Sequence, residues 1–79
     1  MNKNFVLNIN TIKKAQNFND ICLSYDCDID ILRGRYVIDA KSILGIFSLD
    51  LDIPVEVYIH SNDKLVLSKF NEEMKEFIW

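Results

Sequence analysis

Ser42, Thr11, His60 and the thiols of Cys22 and Cys27 are the side chains whose types and placement allow chemistry, and each allows a different kind. Ser42 stands before Ile43-Leu44-Gly45-Ile46-Phe47, where a helix N-cap is expected. Its hydroxyl can accept from an unpaired backbone N–H, or it can carry a phosphate. Thr11 occupies the corresponding place before a longer amphipathic segment, with Lys13 and Lys14 in the first turn. Two cations there oppose the helix dipole, and an anion would remove the conflict. The plainer reading is two solvated lysines on an outer face, because the dipole penalty is small enough to tolerate. His60 is the single histidine and falls on the outward side of a predicted strand. Alone it gives little material for acid-base work. Cys22 and Cys27 are five residues apart without metal-type companions, so reduced thiols packed as small apolar groups are expected.

The sequence holds no Ser/His/Asp set, no metal cluster and no phosphate-cradling glycine loop. It is therefore not expected to be an enzyme or to bind a metal or cofactor. A net charge of -3 gives no general attraction to nucleic acid or an anionic membrane, so neither is an expected partner. No apolar run approaches the roughly 20 residues of a membrane span. Met1-Asn2-Lys3-Asn4 does not read as a signal peptide, so a cytoplasmic location is the expectation.

The elements that must position these groups follow from periodicity. Phe5, Leu7 and Ile9 alternate with Asn4, Val6 and Asn8, predicting a half-buried strand from Asn4 to Ile9. Ile12, Ala15, Phe18 and Cys22 recur at helical spacing and predict a helix from Ile12 to Leu23. Asp28-Ile29-Asp30-Ile31 and Tyr36-Val37-Ile38-Asp39 flank a turn at Leu32-Arg33-Gly34-Arg35, which predicts a hairpin. The short Ser42 helix comes next. Pro54 then introduces a strand in which Val55, Val57 and Ile59 share one face. Ser61-Asn62-Asp63 offers caps for a last helix, whose stripe is Leu67, Phe70, Met74 and Phe77. Seventy-nine residues in this order make one domain, 1–79, of α+β class, with a mainly antiparallel sheet and helices gathered on one face.

Ile43, Leu44, Ile46 and Phe47 cover nearly the whole circumference of one or two turns, so a helix this short leaves some of them outside. That surface is either covered by a loop or open to a partner.

The order of elements and the run Lys41-Ser42-Ile43-Leu44-Gly45-Ile46-Phe47-Ser48-Leu49 resemble HPr, the small phosphocarrier of the bacterial phosphoenolpyruvate-dependent sugar phosphotransferase system. Tyr25 to Leu49 aligns with the family pattern without a gap, and the likeness covers almost the entire chain. The resemblance implies an open-faced β-sandwich, βαββαβα, with a four-stranded antiparallel sheet and three helices on one face. In HPr a histidine at the start of the first helix takes phosphate from enzyme I and passes it to transporter domains, helped by an arginine two residues on. Here Thr11 stands at the histidine position, Lys13 at the arginine position and Lys14 where proline is usual. An imidazole relays phosphate as a phosphoramidate, whereas threonine would form a stable ester.

Ser42 matches a serine that, in Gram-positive members, HPr kinase/phosphorylase modifies and a transcriptional repressor of catabolite control reads. Catabolite-repression HPr keeps that serine and lacks the histidine, as this chain does. The resemblance implies phosphorylation at Ser42, with Lys41 beside it, and docking through Ile43, Leu44 and Phe47. Thr11, Lys13 and Lys14 remain candidates for an acidic partner such as enzyme I or a transporter domain. Gly34 stands one residue from the usual hairpin glycine, Pro54 replaces a glycine, and the link before the last helix is about two residues short. A serine kept only as a helix cap is equally compatible with the sequence.

Overall fold

The computed structural model describes residues 2–78. Its elements run β1 (Asn4–Leu7), α1 (Ile12–Leu23), β2 (Ile29–Arg33), β3 (Tyr36–Asp39), α2 (Ile43–Phe47), β4 (Val55–Ile59) and α3 (Lys64–Met74), closed by a 3₁₀ turn at Lys75–Phe77. The strands form one antiparallel sheet in the order β1-β4-β2-β3. Three helices lie on one of its faces, the architecture expected from the sequence.

Period-2 patterning decides which face is covered. Phe5 pairs with Val57, Ile31 with Val57 and Ile38, and Ile29 with Ile59, so one face is almost wholly apolar. Ala15, Phe18 and Cys22 of α1 and Leu67, Phe70 and Met74 of α3 join it in a single buried cluster. Edge-to-face aromatic pairs fix the packing: Phe70 meets Phe5 at 5.4 Å and Tyr25 at 5.3 Å, and Phe18 meets Phe77 at 5.9 Å. The opposite face carries Asn4, Tyr58, Asp30 and Asp39 in one row and Val6, Glu56, Leu32 and Val37 in the next. No helix covers those rows.

Several boundaries differ from the sequence-based expectation. The first strand ends at Leu7, since the Asn8 N–H turns to the Phe77 carbonyl at 2.7 Å, although Ile9 is still buried beyond it. The hairpin turn shrinks to Gly34-Arg35, with Leu32 and Arg33 in the ladder opposite Val37 and Tyr36. Gly34 has φ 57° and Arg35 has no positive φ, the pattern of a II′ turn, which suits strand twist. Ile12 does not join the core: as the first residue of α1 it projects from the end of the layer and is 70% exposed. Asn19 is buried in its stead, its amide donating to the Ala40 carbonyl at 3.2 Å. That bond ties α1 to the segment leading into α2.

Candidate functional site

Both helix starts carry the hydroxyl cap that the sequence suggested. Thr11 takes an extended backbone, φ -125° and ψ 155°, and its Oγ1 accepts from the Lys14 N–H at 3.0 Å. Ser42, at φ -99° and ψ 103°, accepts from the Gly45 N–H at 3.2 Å. Each satisfies one of the four N–H groups that a helix start leaves without a partner. Both residues are exposed.

The turn before Ser42 is held by Asp39. Its carboxylate accepts from the Lys41 N–H at 2.9 Å, and its carbonyl accepts from the Ser42 N–H at 3.0 Å. Gly45 lets the helix approach the sheet, because a Cβ there would lie 2.9 Å from the Ile38 Cγ2. The Ser48 N–H and hydroxyl close the far end on the Leu44 and Gly45 carbonyls. Of the four apolar residues only Ile46 is buried. Ile43 is half-buried, Phe47 is 41% exposed and Leu44 is 80% exposed. The short helix thus sits on one anchor and two caps, with Leu44 and Phe47 left outside.

No lysine ammonium bonds to the Ser42 hydroxyl among the described residues. Lys13 is exposed and Lys14 half-buried, and neither has an ion-pair partner among the described residues. Lys41 was expected beside a phosphate, but its ammonium turns inward and donates to the Tyr25 carbonyl at 2.5 Å. Extended reach explains the difference: the four-carbon stem of a lysine spans from one loop to the next, and an inward carbonyl needs a donor. Tyr25 is itself fixed through its hydroxyl, which donates to Glu73, and by Lys69 lying 5.2 Å from the ring centroid. Burial, reinforced by the Glu73 carboxylate, pushes the Tyr25 phenol above its ordinary range.

The thiols are free, Cys22 fully buried and Cys27 half-buried. Burial pushes the Cys22 thiol up to about 12, against the opposing pull of Lys41. No group of three or more potential metal ligands gathers among the described residues. His60 lies one residue past β4, exposed, with its Nε2 2.7 Å from an Asp30 carboxylate oxygen and its ring edge-on to Tyr58 at 4.7 Å. A carboxylate at that distance repels an incoming phosphate. Lys3 lines the same hollow, a neighbour the sequence did not reveal, but its ammonium donates to Asn62.

Several exposed apolar residues escaped the sequence reading as surface, among them Ile12 at the start of α1, Leu23 at its end, Leu65 in the first turn of α3, and Ile53 in the loop before β4, which is 51% exposed. Ile12 falls on the apolar stripe of α1 by spacing, and only its place directly after the Thr11 cap sets it apart from the buried residues of that stripe. The loop before β4 is fastened by Arg33, whose guanidinium donates to the Asp50 and Ile53 carbonyls at 3.3 Å and 3.2 Å. No helix is long and apolar enough to cross a membrane among the described residues.

No family model and no curated protein matches the sequence. Among solved structures, the fold is similar to HPr-C-His from Thermoanaerobacter tengcongensis, with a TM-score of 0.72 over 95% of this chain and 93% of that one. The two are 17% identical, so the likeness is one of fold.

Proposed function

We propose, taking the HPr-type fold as premise, that this chain is a non-catalytic regulatory adaptor of the sugar phosphotransferase system, phosphorylated on Ser42 and not a histidine phosphocarrier. One observation carries the reading: an exposed hydroxyl at the start of α2 stands among apolar side chains that the fold leaves uncovered, Leu44 and Phe47. At the start of α1, a threonine stands where a relay would need an imidazole. In the modification, the Ser42 Oγ attacks the γ-phosphorus of ATP, its proton passes to a base of the kinase, and ADP leaves. The product adds close to two negative charges at a helix N-terminus, where the dipole favours them. The Asp39 carboxylate, held on the Lys41 N–H, is the group that opposes it. Ile43, Leu44 and Phe47 then give a larger protein, a repressor of catabolite control, an apolar surface beside a new dianion. The cytoplasm is the compartment in which those partners meet.

The assay is phosphorylation by HPr kinase/phosphorylase with ATP, set against enzyme I with phosphoenolpyruvate. The expected product carries phosphate on Ser42, is absent from Ser42→Ala, and forms with the first donor only. Labelling by enzyme I would refute the adaptor reading.

A second reading is favoured by Lys13 and Lys14, two cations at one helix start without ion-pair partners among the described residues. It makes the chain a phosphotransferase-system component that docks on an acidic face of enzyme I or a transporter domain. Binding to enzyme I that survives Ser42→Ala and fails in a Lys13→Glu, Lys14→Glu variant would select it. Loss of both phosphorylation and enzyme I binding would leave an interaction module that keeps only the fold.

A further inference from the structure

The two edges of the sheet are treated differently. At β1 the C-terminal segment closes the edge: Ile78 bridges Leu7, the Asn8 N–H reaches the Phe77 carbonyl, and the Asn71 amide donates to the Asn2 carbonyl at 3.1 Å. At β3 no strand among the described residues lies beyond Tyr36–Asp39. This strand is exposed along most of its length, with Tyr36 at 67% and Val37 at 64%. A bare edge of aromatic and β-branched residues is a template for another strand.

Which backbone groups face that edge follows from the ladder. The Ala40 N–H donates to the Ile29 carbonyl at 2.9 Å, so Ala40 opposite Ile29 is a hydrogen-bonded pair. Bonded and non-bonded pairs alternate along an antiparallel ladder, which makes Ile38 and Tyr36 bonded to β2 and Val37 and Asp39 not. The Val37 N–H and carbonyl therefore both point away from the sheet. The Asp39 carbonyl is already taken by the Ser42 N–H. Val37 is left as the centre of the free edge.

Charge then selects the partner. Arg35 and Asp39 lie two residues to either side of Val37, both exposed, and neither has an ion-pair partner among the described residues. If a second copy of β3 lies antiparallel with Val37 on the two-fold axis, Arg35 of each chain falls opposite Asp39 of the other. Tyr36 falls opposite Ile38. A parallel arrangement would set Arg35 beside Arg35. The strand Arg35-Tyr36-Val37-Ile38-Asp39 is thus self-complementary in one orientation only, the property that an isologous interface requires. Val37 also lies in the uncovered row with Leu32, Glu56 and Val6, so pairing would join two such rows across an eight-stranded sheet.

We propose that the chain forms a two-fold dimer in which the β3 edges pair antiparallel about Val37, with Arg35 of each copy against Asp39 of the other. The inference does not depend on phosphorylation of Ser42. Two backbone hydrogen bonds cross the axis at Val37, and two ion pairs flank them.

Sedimentation equilibrium over a range of concentrations tests it. The wild-type chain should move from 9.3 kDa toward twice that mass as concentration rises. Val37→Pro removes an N–H that β2 does not use, and should weaken the dimer about tenfold or more while circular dichroism stays native. Arg35→Asp should weaken it to a similar degree, and Arg35→Lys, which keeps the charge and leaves the Asp39 turn untouched, should retain it. A Val37→Cys chain in a Cys27→Ser background should cross-link to itself under mild oxidation, because facing residues of a bonded pair have Cα atoms about 5.5 Å apart. A chain that stays at 9.3 kDa up to about millimolar concentration overturns the proposal. So does a dimer indifferent to both Val37→Pro and the charge reversal, since its interface lies elsewhere.

Discussion

The starts of α1 and α2 look alike and are held in opposite ways. Each has a hydroxyl cap on an extended residue, yet α1 runs for 12 residues and buries Ala15, Phe18, Asn19 and Cys22, while α2 runs for five and buries Ile46 alone. The first helix is stable through packing, so its entrance tolerates Lys13 and Lys14 against the dipole. The second depends on Ser42, Ser48, Gly45 and one anchor, and its remaining apolar surface is free for use by something else. Helices this short are not stable by propensity, so local caps and tertiary anchors carry them.

Truncating the buried side of each helix against the exposed side breaks this comparison most severely. Phe18→Ala should cost about 3–5 kcal/mol by chemical denaturation, whereas Leu44→Ala should change stability by no more than about 0.5 kcal/mol. A large loss at Leu44 would mean that the outer surface of α2 is structural.

Alkaline titration probes the α1 side next. The Cys22 thiol ionises near 9 in the unfolded chain and only near 12 in the folded one, so the native state binds the proton more tightly. Its contribution is fully present below pH 9 and is lost as pH rises toward 12, by up to about 4 kcal/mol at 1.4 kcal/mol per unit. Tyr25, also raised, acts in the same direction. Cys22→Ala should flatten the decline, a result that equilibrium unfolding from pH 8 to 12 would reveal.

The caps come third. Thr11→Ala and Ser42→Ala should each cost about 1 kcal/mol, so stability alone does not separate them. Phosphorylation does: only the Ser42 substitution should abolish it. Smallest is the dipole conflict. Lys13→Gln and Lys14→Gln should each stabilise by a few tenths of a kcal/mol at low salt, with the gain fading at about 1 M, where charges are screened beyond ~3 Å.

Much of this contrast was legible in the residues. Thr11 and Ser42 announced their caps, Ser61-Asn62-Asp63 offered three candidates of which Asp63 is the one used, and the alternation in Val55, Val57 and Ile59 marked a strand and its buried face without help from distant contacts. Position in the layer was not legible. Ile12 fits the helical stripe of α1 by spacing, but spacing does not say where the sheet beneath it ends, and the residue is exposed. Asn19 reads as polar surface until Ala40, 21 residues away, supplies the carbonyl that allows its burial. Lys41 reads as a phosphate neighbour because its sequence neighbour is Ser42; the tether to Tyr25 depends on a long-range approach that no local pattern encodes. The hairpin register shifted for a simpler reason. Only Gly34 takes a positive φ at low cost, so the turn centres on Gly34-Arg35 and Leu32 and Arg33 are drawn into the ladder.

The difference between the two entrances is tested most directly by one intact-mass measurement on the chain after exposure to both phosphate donors, repeated after mild acid treatment. A serine ester survives the acid and a phosphoramidate does not. The expected result is a single added phosphate, stable to acid and mapping to Ser42, with none that depends on phosphoenolpyruvate. An acid-labile phosphate on His60, or phosphate on Thr11 that passes onward to a transporter domain, would contradict it.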